Sequence, residues 1–231
     1  MKKKYFHIFL SIIITFVMNN SIFSQEKNDP IPKIAFGVGG FYGFYDVIHN
    51  YGEGNNWEEG DGYGGGIIFE AMISNRFGIH SGIWYSQFTL TLEITDYYQD
   101  EEEGITQVEW FRNEVKSEII TVPIYLITSF RLSVFTFNLL TGFNFSYVTE
   151  SSMSTKTMEG KESAEIKKYI GYSQAGVGGG LEIKISLPGF IDIFFTGTGE
   201  RYFNNLFNEN KEWSDFLYNY KAMAGIMMRT F

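Results

Sequence analysis

The chain has 231 residues, with 18 basic and 27 acidic side chains, 25 Gly, 23 Phe, 15 Tyr and no Cys. The lack of cysteine excludes a disulfide scaffold, a zinc knuckle, a lipid-modified cysteine and a thiol nucleophile, and the excess of acid argues against nucleic-acid binding. With 44% hydrophobic residues and a mean hydropathy of −0.10, the chain is too apolar for disorder and too polar for a bundle of membrane helices.

Residues 1–24 have the pattern of an export signal. Three lysines precede Tyr5–Met18, a mostly apolar stretch that is too short to span a bilayer. Cleavage is predicted near Ser24–Gln25, with an uncleaved membrane anchor as the alternative. Cleavage would leave a short lead at 25–32 and one domain at 33–231. The mature chain would then have 15 basic residues (18 minus three) against 27 acidic ones. The sequence therefore predicts an exported, acidic protein.

Apolar and polar residues alternate with period two along the rest of the chain. In Phe135–Tyr147, large apolar residues take most odd positions and small or polar residues take most even ones. This alternation predicts strands, because successive side chains of a strand point to opposite faces. Eight strands are predicted, at about 33–45, 63–74, 76–94, 115–128, 132–148, 168–186, 189–201 and 216–231.

The connections between these strands alternate between short and long. Short turns are predicted at Ser74–Arg76, Ser129–Leu132 and Leu187–Gly189. The long connections are 46–62, 95–114, 149–167 and 202–215. Compact soluble domains seldom carry four loops of this length. The pattern predicts an all-β fold, an eight-stranded antiparallel up-and-down transmembrane β-barrel, with every long loop at one end.

The rival fold is a soluble lipocalin-like carrier, because alternation alone does not say which face points inward. Gly176, Gly178 and Gly180 share a face with Glu182 and Lys184. Small residues mixed with charges suit the crowded interior of a narrow barrel, whereas a ligand-binding cup would be lined by large apolar groups. The membrane barrel is therefore favoured.

On the same register, five charged residues face the lumen: Glu70, Glu182, Lys184, Asp192 and Lys221. Unpaired charges in a narrow interior are costly, so we predict that these residues pair across strands and help to plug the lumen.

Three segments look like parts of a known β-barrel family. Gly65–Glu70 with Arg76–Ile79 and Trp84–Gln87 looks like the second hairpin of that family. Thr121–Leu126 looks like its proline-bearing fourth strand, and Thr141–Tyr147 looks like its fifth. These segments resemble the PorT-like outer-membrane β-barrel family of Bacteroidota, and the resemblance covers roughly 33–231. It implies an outer-membrane barrel, and one branch of the family is linked to protein secretion.

The C-terminus is similar to the signal by which assembly machinery recognises such barrels. Phe231 matches the terminal aromatic residue, whereas Arg229 stands where a second aromatic residue is usual. The resemblance therefore implies the barrel-assembly machinery as a partner, through Phe231.

Little in the sequence indicates chemistry. His49 with Asp46 lies in the first long loop and His80 lies near a short turn, but no serine at a defining spacing accompanies them. Gly37–Gly39 lacks the third glycine of a dinucleotide-binding motif. We predict no catalytic, metal-binding or cofactor-binding residues and no cofactor. A barrel enzyme acting on outer-membrane lipid or peptide is the alternative.

The long loops hold 19 of the 27 acidic residues. Asp100–Glu103 is either ordinary solvated surface or a site for divalent cations that also bridge lipopolysaccharide phosphates. Aromatic residues among these acids form either an outer girdle, which is favoured, or contacts with an external partner. They are Trp57, Tyr97, Tyr98, Trp110 and Phe111.

These observations predict a non-enzymatic outer-membrane barrel that acts as envelope scaffold, surface-interaction module or secretion accessory. Its expected surroundings are outer-membrane lipid and lipopolysaccharide, with an extracellular or secretion partner at the loops and no nucleic acid.

Overall fold

The computed structural model describes residues 34–48, 55–99, 106–156, 161–165, 173–205 and 216–230. Outside them lie the predicted signal peptide 1–24, the lead 25–32, His49, Asp100–Glu103 and Phe231. Ten strands occupy the described ranges: β1 (Ile34–Ile48), β2 (Asn55–Glu58), β3 (Gly60–Met72), β4 (Phe77–Gln99), β5 (Thr106–Leu132), β6 (Phe135–Lys156), β7 (Lys161–Glu165), β8 (Ser173–Ser186), β9 (Ile191–Asn205) and β10 (Phe216–Thr230). Among these residues, no helix is long and apolar enough to cross a membrane.

Eight of the ten described strands close into an antiparallel barrel. Going round the wall, β1, β3, β4, β5, β6, β8, β9 and β10 each pair with the next, and β10 pairs with β1. Apart from β2 and β7, neighbours in the wall are also consecutive along the chain, so the topology is up-and-down. The predicted eight-stranded antiparallel barrel is therefore confirmed.

The pairing register sets the tilt of the strands. A path of paired residues starts and ends on β1: Tyr45, Asn219, Glu200, Gly178, Gly142, Tyr125, His80, Glu70, Ala35. It returns ten positions before its start. With eight strands at ordinary spacing, this stagger corresponds to a tilt of about 41°. Residues at one level of the wall therefore shift by a little more than one position per strand.

Side chains alternate between a packed interior and an exposed exterior. In β8, Glu182 and Lys184 are buried, whereas Leu181 and Ile183 are exposed. The exterior of the wall is apolar and includes Phe36, Val38, Ile67, Ile83, Leu126, Phe143 and Ile226. A barrel with an apolar exterior and polar residues inside has the polarity of a membrane barrel rather than of a lipocalin-like carrier.

Two larger apolar clusters help to fill the interior. One lies toward the end with the long connections and comprises Tyr45, Val47, Phe88, Leu90, Val115, Ile119, Val148, Tyr202 and Leu217. The other comprises Ala35, Phe41, Ile68, Trp84, Phe194 and Met227. In the first cluster the rings of Tyr45 and Phe88 stack with centroids 4.4 Å apart. Side chains thus pack the barrel along most of its length, as expected for eight strands.

Short turns connect the strands at the other end of the barrel. The turn between β5 and β6 is Ser133–Val134, and Ser133 takes a φ of 56°. The prediction of a turn at Ser129–Leu132 was wrong, because these residues pair with Phe135–Asn138 as the last part of β5. Between β8 and β9, Gly189 takes a φ of 91°, a conformation that favours glycine.

The long connections contain more strand than the sequence predicts. Much of 95–114 is a continuation of the β4–β5 hairpin, which pairs as far as Gln99 and Thr106. The 46–62 connection includes β2, and 149–167 includes the end of β6 and β7. The loop prediction was wrong because period-two alternation fails in 95–114, whereas backbone pairing between β4 and β5 does not depend on side-chain polarity.

These extensions form one sheet at the long-loop end, which we call the projecting sheet. In the described residues its strand order is β2, β4, β5, β6, β7, and every pairing is antiparallel. It comprises Asn55–Glu58, Thr89–Gln99, Thr106–Glu118, Glu150–Lys156 and Lys161–Glu165. It continues only part of the wall, because β1, β8, β9 and β10 have just 14 or 15 residues.

Candidate functional site

A buried group of ionisable side chains lies in the lumen near the short-turn end. The ammonium of Lys184 contacts the carboxylate of Glu70, and its Nζ lies 3.4 Å from Oε1 of Glu182. Lys184 is on β8 and Glu70 is on β3, four strands away in either direction, so this ion pair spans the barrel. The structure thus brings three of the five predicted lumen charges together. With His80, we call these residues the basal cluster.

Hydrogen bonds fix the orientation of Glu182. Asn138 donates from Nδ2 to Oε1 of Glu182 at 2.7 Å, and Thr196 donates from Oγ1 to Oε2 at 3.0 Å. Asn138 is held in turn by Ser129, whose hydroxyl donates to Oδ1 at 2.6 Å. Both oxygens of the buried carboxylate therefore have donors from neighbouring strands.

His80 lies beside Glu70, its register partner on β3. Nδ1 of His80 is 3.9 Å from Oε2 of Glu70, too long for a hydrogen bond, and it is buried without a hydrogen-bond partner. The imidazole stacks on the ring of Tyr125 with centroids 6.3 Å apart. His80, which the sequence places at an interface or in the lumen, lies in the lumen.

Lys221 belongs to a second buried group, nearer the long-loop end. Its Nζ donates to Oε2 of Glu200 at 2.9 Å, and the hydroxyl of Tyr125 donates to Oε1 at 2.9 Å. Tyr202 also donates to Oε2, at 3.2 Å. Sequence reasoning missed Glu200, although its parity with Asp192 on β9 was a usable signal. Lys221 is therefore paired with a residue outside the predicted set.

Asp192 forms an ion pair with Arg229 of β10 rather than with a residue of either group. Oδ1 of Asp192 is 3.3 Å from Nε of Arg229. Nη2 of Arg229 also donates to the carbonyl oxygens of Leu187 and Gly189, at 3.2 and 3.0 Å. The arginine that interrupts the aromatic C-terminal pattern thus holds the β8–β9 turn.

Exposed aromatic side chains lie on the outside of the wall at two levels. Tyrosines lie toward the long-loop end: Tyr42, Tyr63, Tyr85, Tyr147 and Tyr220. Phenylalanines lie toward the short-turn end: Phe36, Phe77, Phe135, Phe137 and Phe190. Tyr42 donates to Asp61, and Tyr63 donates to Gln87, both at 2.9 Å. Such belts mark the two interfaces of a membrane-spanning barrel, with polar partners at the outer one.

The five aromatic residues predicted to contact a partner or form a girdle belong to strands of the projecting sheet. Trp57 pairs with Leu92, Trp110 with Thr95 and Phe111 with Ile94. Tyr97 and Tyr98 pair with Val108 and Gln107. The side chains of these five residues lie outside what the structure describes.

Arg112 links three strands of the projecting sheet. Its guanidinium lies 3.1 Å from Glu58 of β2 and 3.4 Å from Glu93 of β4. These side chains are partly solvated, so the ion pairs contribute modestly to stability. They hold the short strand β2 against the long β4–β5 hairpin.

The closed wall, apolar exterior and two aromatic belts define a transmembrane β-barrel. In agreement, the family described as "Outer membrane protein beta-barrel domain" matches residues 12–226. The chain belongs to this family, and its location is the outer membrane. Comparison with the curated proteins gives no match.

Comparison with solved structures gives matches at low sequence identity. Ail, the attachment invasion locus protein of Yersinia pestis, is 9% identical, with 84% of this chain and 98% of that chain covered and a TM-score of 0.39. OprG from Pseudomonas aeruginosa is 11% identical, with 86% and 96% covered and a TM-score of 0.40. The outer membrane protease OmpT from Escherichia coli is 12% identical, with 90% and 100% covered and a TM-score of 0.39.

Proposed function

We propose that this protein is a non-enzymatic surface-interaction module, whose barrel anchors the projecting sheet outside the outer membrane. The observation that carries the proposal is the length of β4, β5 and β6, which have 23, 27 and 22 residues. A tilted strand needs only about 9 to 11 residues to cross the bilayer. More than half of β5 therefore exceeds what anchoring requires, which supports a role for the part beyond the membrane.

The composition of the projecting sheet supports contact with an external partner. Acidic residues such as Glu93, Asp96 and Glu109 lie near the aromatic residues Tyr97 and Trp110. Aromatic faces contribute large contact areas at protein and sugar interfaces, and charges at the rim influence partner choice. An extracellular protein or a surface polysaccharide fits this composition.

The packed lumen supports a plug rather than a channel. Tyr45, Tyr202 and Leu217 are fully buried near the long-loop end, and the basal cluster crosses the lumen near the other end. The described residues contain one histidine, His80. Its side chain is buried in the lumen, far from the projecting sheet. These features favour a structural role for the barrel over an enzymatic one.

The proposal also includes the branch of the family, the specific role and the surroundings of the protein. The PorT-like segments suggest that the chain belongs to a Bacteroidota branch of barrels. A role as a secretion accessory is therefore the first specific role to test. An envelope scaffold is the second. Lipopolysaccharide and outer-membrane lipid would surround the tyrosine belt, and Phe231 would direct the chain to the barrel-assembly machinery.

Photo-crosslinking in intact cells tests the proposal. A crosslinkable residue replaces Tyr97 in the projecting sheet, and a control replaces Phe143 on the lipid-facing wall. We expect discrete protein or polysaccharide adducts from Tyr97 and none of these adducts from Phe143.

A shortened variant makes the test specific. An Asn-Gly turn joins Ile94 to Phe111, which are register partners, so that the barrel register is kept. With the crosslinker then at Leu92, adduct formation should disappear while heat-modifiable gel mobility persists. The proposal fails if Tyr97 forms no adduct, or if the folded shortened variant forms the same adducts.

Liposome swelling tests the plug separately. We expect vesicles containing the protein to admit small sugars no faster than empty vesicles, with a general porin as positive control. Permeation at the rate of the porin would contradict a plugged lumen without affecting the role of the projecting sheet.

A further inference from the structure

We propose that Glu70, His80 and Glu182 form a site for a divalent transition-metal ion inside the barrel, and that the ammonium of Lys184 occupies this site when no metal is bound. Each of the three residues offers one ligand atom, and these atoms lie within 4.8 Å of one another. Their exposed fractions are 6%, 3% and 1%, so the group is enclosed by the barrel.

The ligand set suits zinc and similar ions. One imidazole nitrogen and two carboxylate oxygens match borderline divalent metals, and three protein ligands leave a fourth position for water. His80 supplies the independent sign of a ligand site, because its buried Nδ1 has no hydrogen-bond partner and lies 3.9 Å from Oε2 of Glu70. Because no side chain in the described residues donates to or accepts from this nitrogen, it is available to bind a ligand.

Neighbouring side chains orient the ligands. Asn138 and Thr196 donate to the two oxygens of Glu182, at 2.7 and 3.0 Å. Each oxygen keeps a lone pair free, because a carboxylate accepts about four hydrogen bonds. The ring of Tyr125 restricts the imidazole of His80 by stacking. Supporting contacts of this kind hold metal ligands in place and raise affinity.

Lys184 shows that this position stabilises a cation. Its ammonium contacts Glu70 and approaches Glu182, yet one positive charge faces two carboxylates. A divalent ion would neutralise both carboxylates. The displaced ammonium has a partner within reach, because Asp192 lies diagonally across from Lys184 on the inward face of the paired strand β9.

The site is close to one opening of the barrel. Glu70 pairs with Ala35, the second described residue of β1, and Lys184 is two residues from the end of β8. An ion from the short-turn side therefore meets the basal cluster before the second ionic group.

Metal titration of the folded, tag-free protein in detergent tests the proposal. After EDTA treatment and dialysis, Co²⁺ is added while visible absorption is recorded, and Zn²⁺ is then used to displace it. We expect saturable binding of one ion by the wild type. Lys184→Met removes the competing ammonium and should raise the apparent affinity about tenfold or more.

Three further variants locate the site. His80→Ala and the isosteric Glu182→Gln should each lower affinity about tenfold or more. Glu200→Gln, in the other ionic group, should bind like the wild type. Lys184→Met should also be less resistant to urea in EDTA and regain resistance with Zn²⁺, because the metal replaces the lost positive charge.

The proposal is overturned if neither the wild type nor Lys184→Met binds Co²⁺ saturably. It is also overturned if affinity is unchanged in both His80→Ala and Glu182→Gln. Gel mobility verifies folding of each variant. If both ligand variants fail to fold, the comparison of the wild type with Lys184→Met still tests the proposal. Equal affinities of these two proteins for Co²⁺ would contradict occupation of the site by Lys184.

Discussion

Lys221 of β10 and Glu200 of β9 form a salt bridge inside the barrel, with Nζ of the lysine 2.9 Å from Oε2 of the glutamate. Both side chains are buried. Removing one partner leaves an uncompensated charge, so we expect Lys221→Met to lower the free energy of unfolding by about 3 to 5 kcal/mol. Urea unfolding in detergent, followed by gel mobility, measures the loss.

The matched control is the double variant Lys221→Met/Glu200→Gln. It removes both charges while the glutamine side-chain oxygen can still accept from Tyr125 or Tyr202. Most of the lost stability should return. A double variant no more stable than Lys221→Met would show that the unpaired charge is not the cause.

Depth in the membrane should control the effect of a new charge on the wall. Ile67 and Tyr63 both face outward on β3, Ile67 between the two aromatic belts and Tyr63 within the tyrosine belt. We expect Ile67→Arg to destabilise the barrel by about 2 to 4 kcal/mol and Tyr63→Arg by about 1 kcal/mol or less. Folding into lipid vesicles measures both, and equal effects would contradict the assigned depth.

A close approach inside the barrel requires glycine at position 225. A Cβ atom there would lie 2.6 Å from ring carbons of Phe194 and 2.2 Å from the carbonyl oxygen of Val38. We expect Gly225→Ala to cost about 1 to 3 kcal/mol through overpacking. Gly197→Ala is the control, because a Cβ at that position meets nothing within 4 Å. Similar losses in the two variants, measured by urea unfolding, would exclude the clash as the cause.

Arg229 should stabilise the turn between β8 and β9. Arg229→Met removes the donor to the carbonyl oxygens of Leu187 and Gly189, so we expect a loss of about 1 to 3 kcal/mol. Proteolysis in the 187–190 segment should also become faster. Asp192→Asn is the control, because it leaves both donations intact. If Arg229→Met resists proteolysis as well as the wild type does, this role of Arg229 is contradicted.

Much of the barrel could be predicted because alternation is a local property of the chain. Leu181 and Ile183 alternate with Glu182 and Lys184 within a single segment, and this indicates both a strand and its two faces. The alternation fails at 95–114, although β4 and β5 continue to pair there. In this segment, backbone pairing keeps the two strands together, and the pattern of side-chain polarity does not indicate that pairing.

The candidate sites were less predictable because they depend on register. The sequence places Glu70 and Lys184 on inward faces, but their contact depends on four successive strand pairings around the wall. The contacts of Lys221 with Glu200 and of Asp192 with Arg229 depend on register in the same way. His80 became a candidate ligand only when its distances to Glu70 and Glu182 were known.

The amino-acid sequence by itself determined that this chain forms an eight-stranded barrel with an apolar exterior, since period-two alternation and turn spacing are encoded in neighbouring residues. Only the tertiary structure decided the stagger of ten residues, the pairing of charges across the lumen and the projecting sheet. These features arise from the sum of all pairings around a closed wall, and a closed wall permits one residue to face another more than a hundred positions away.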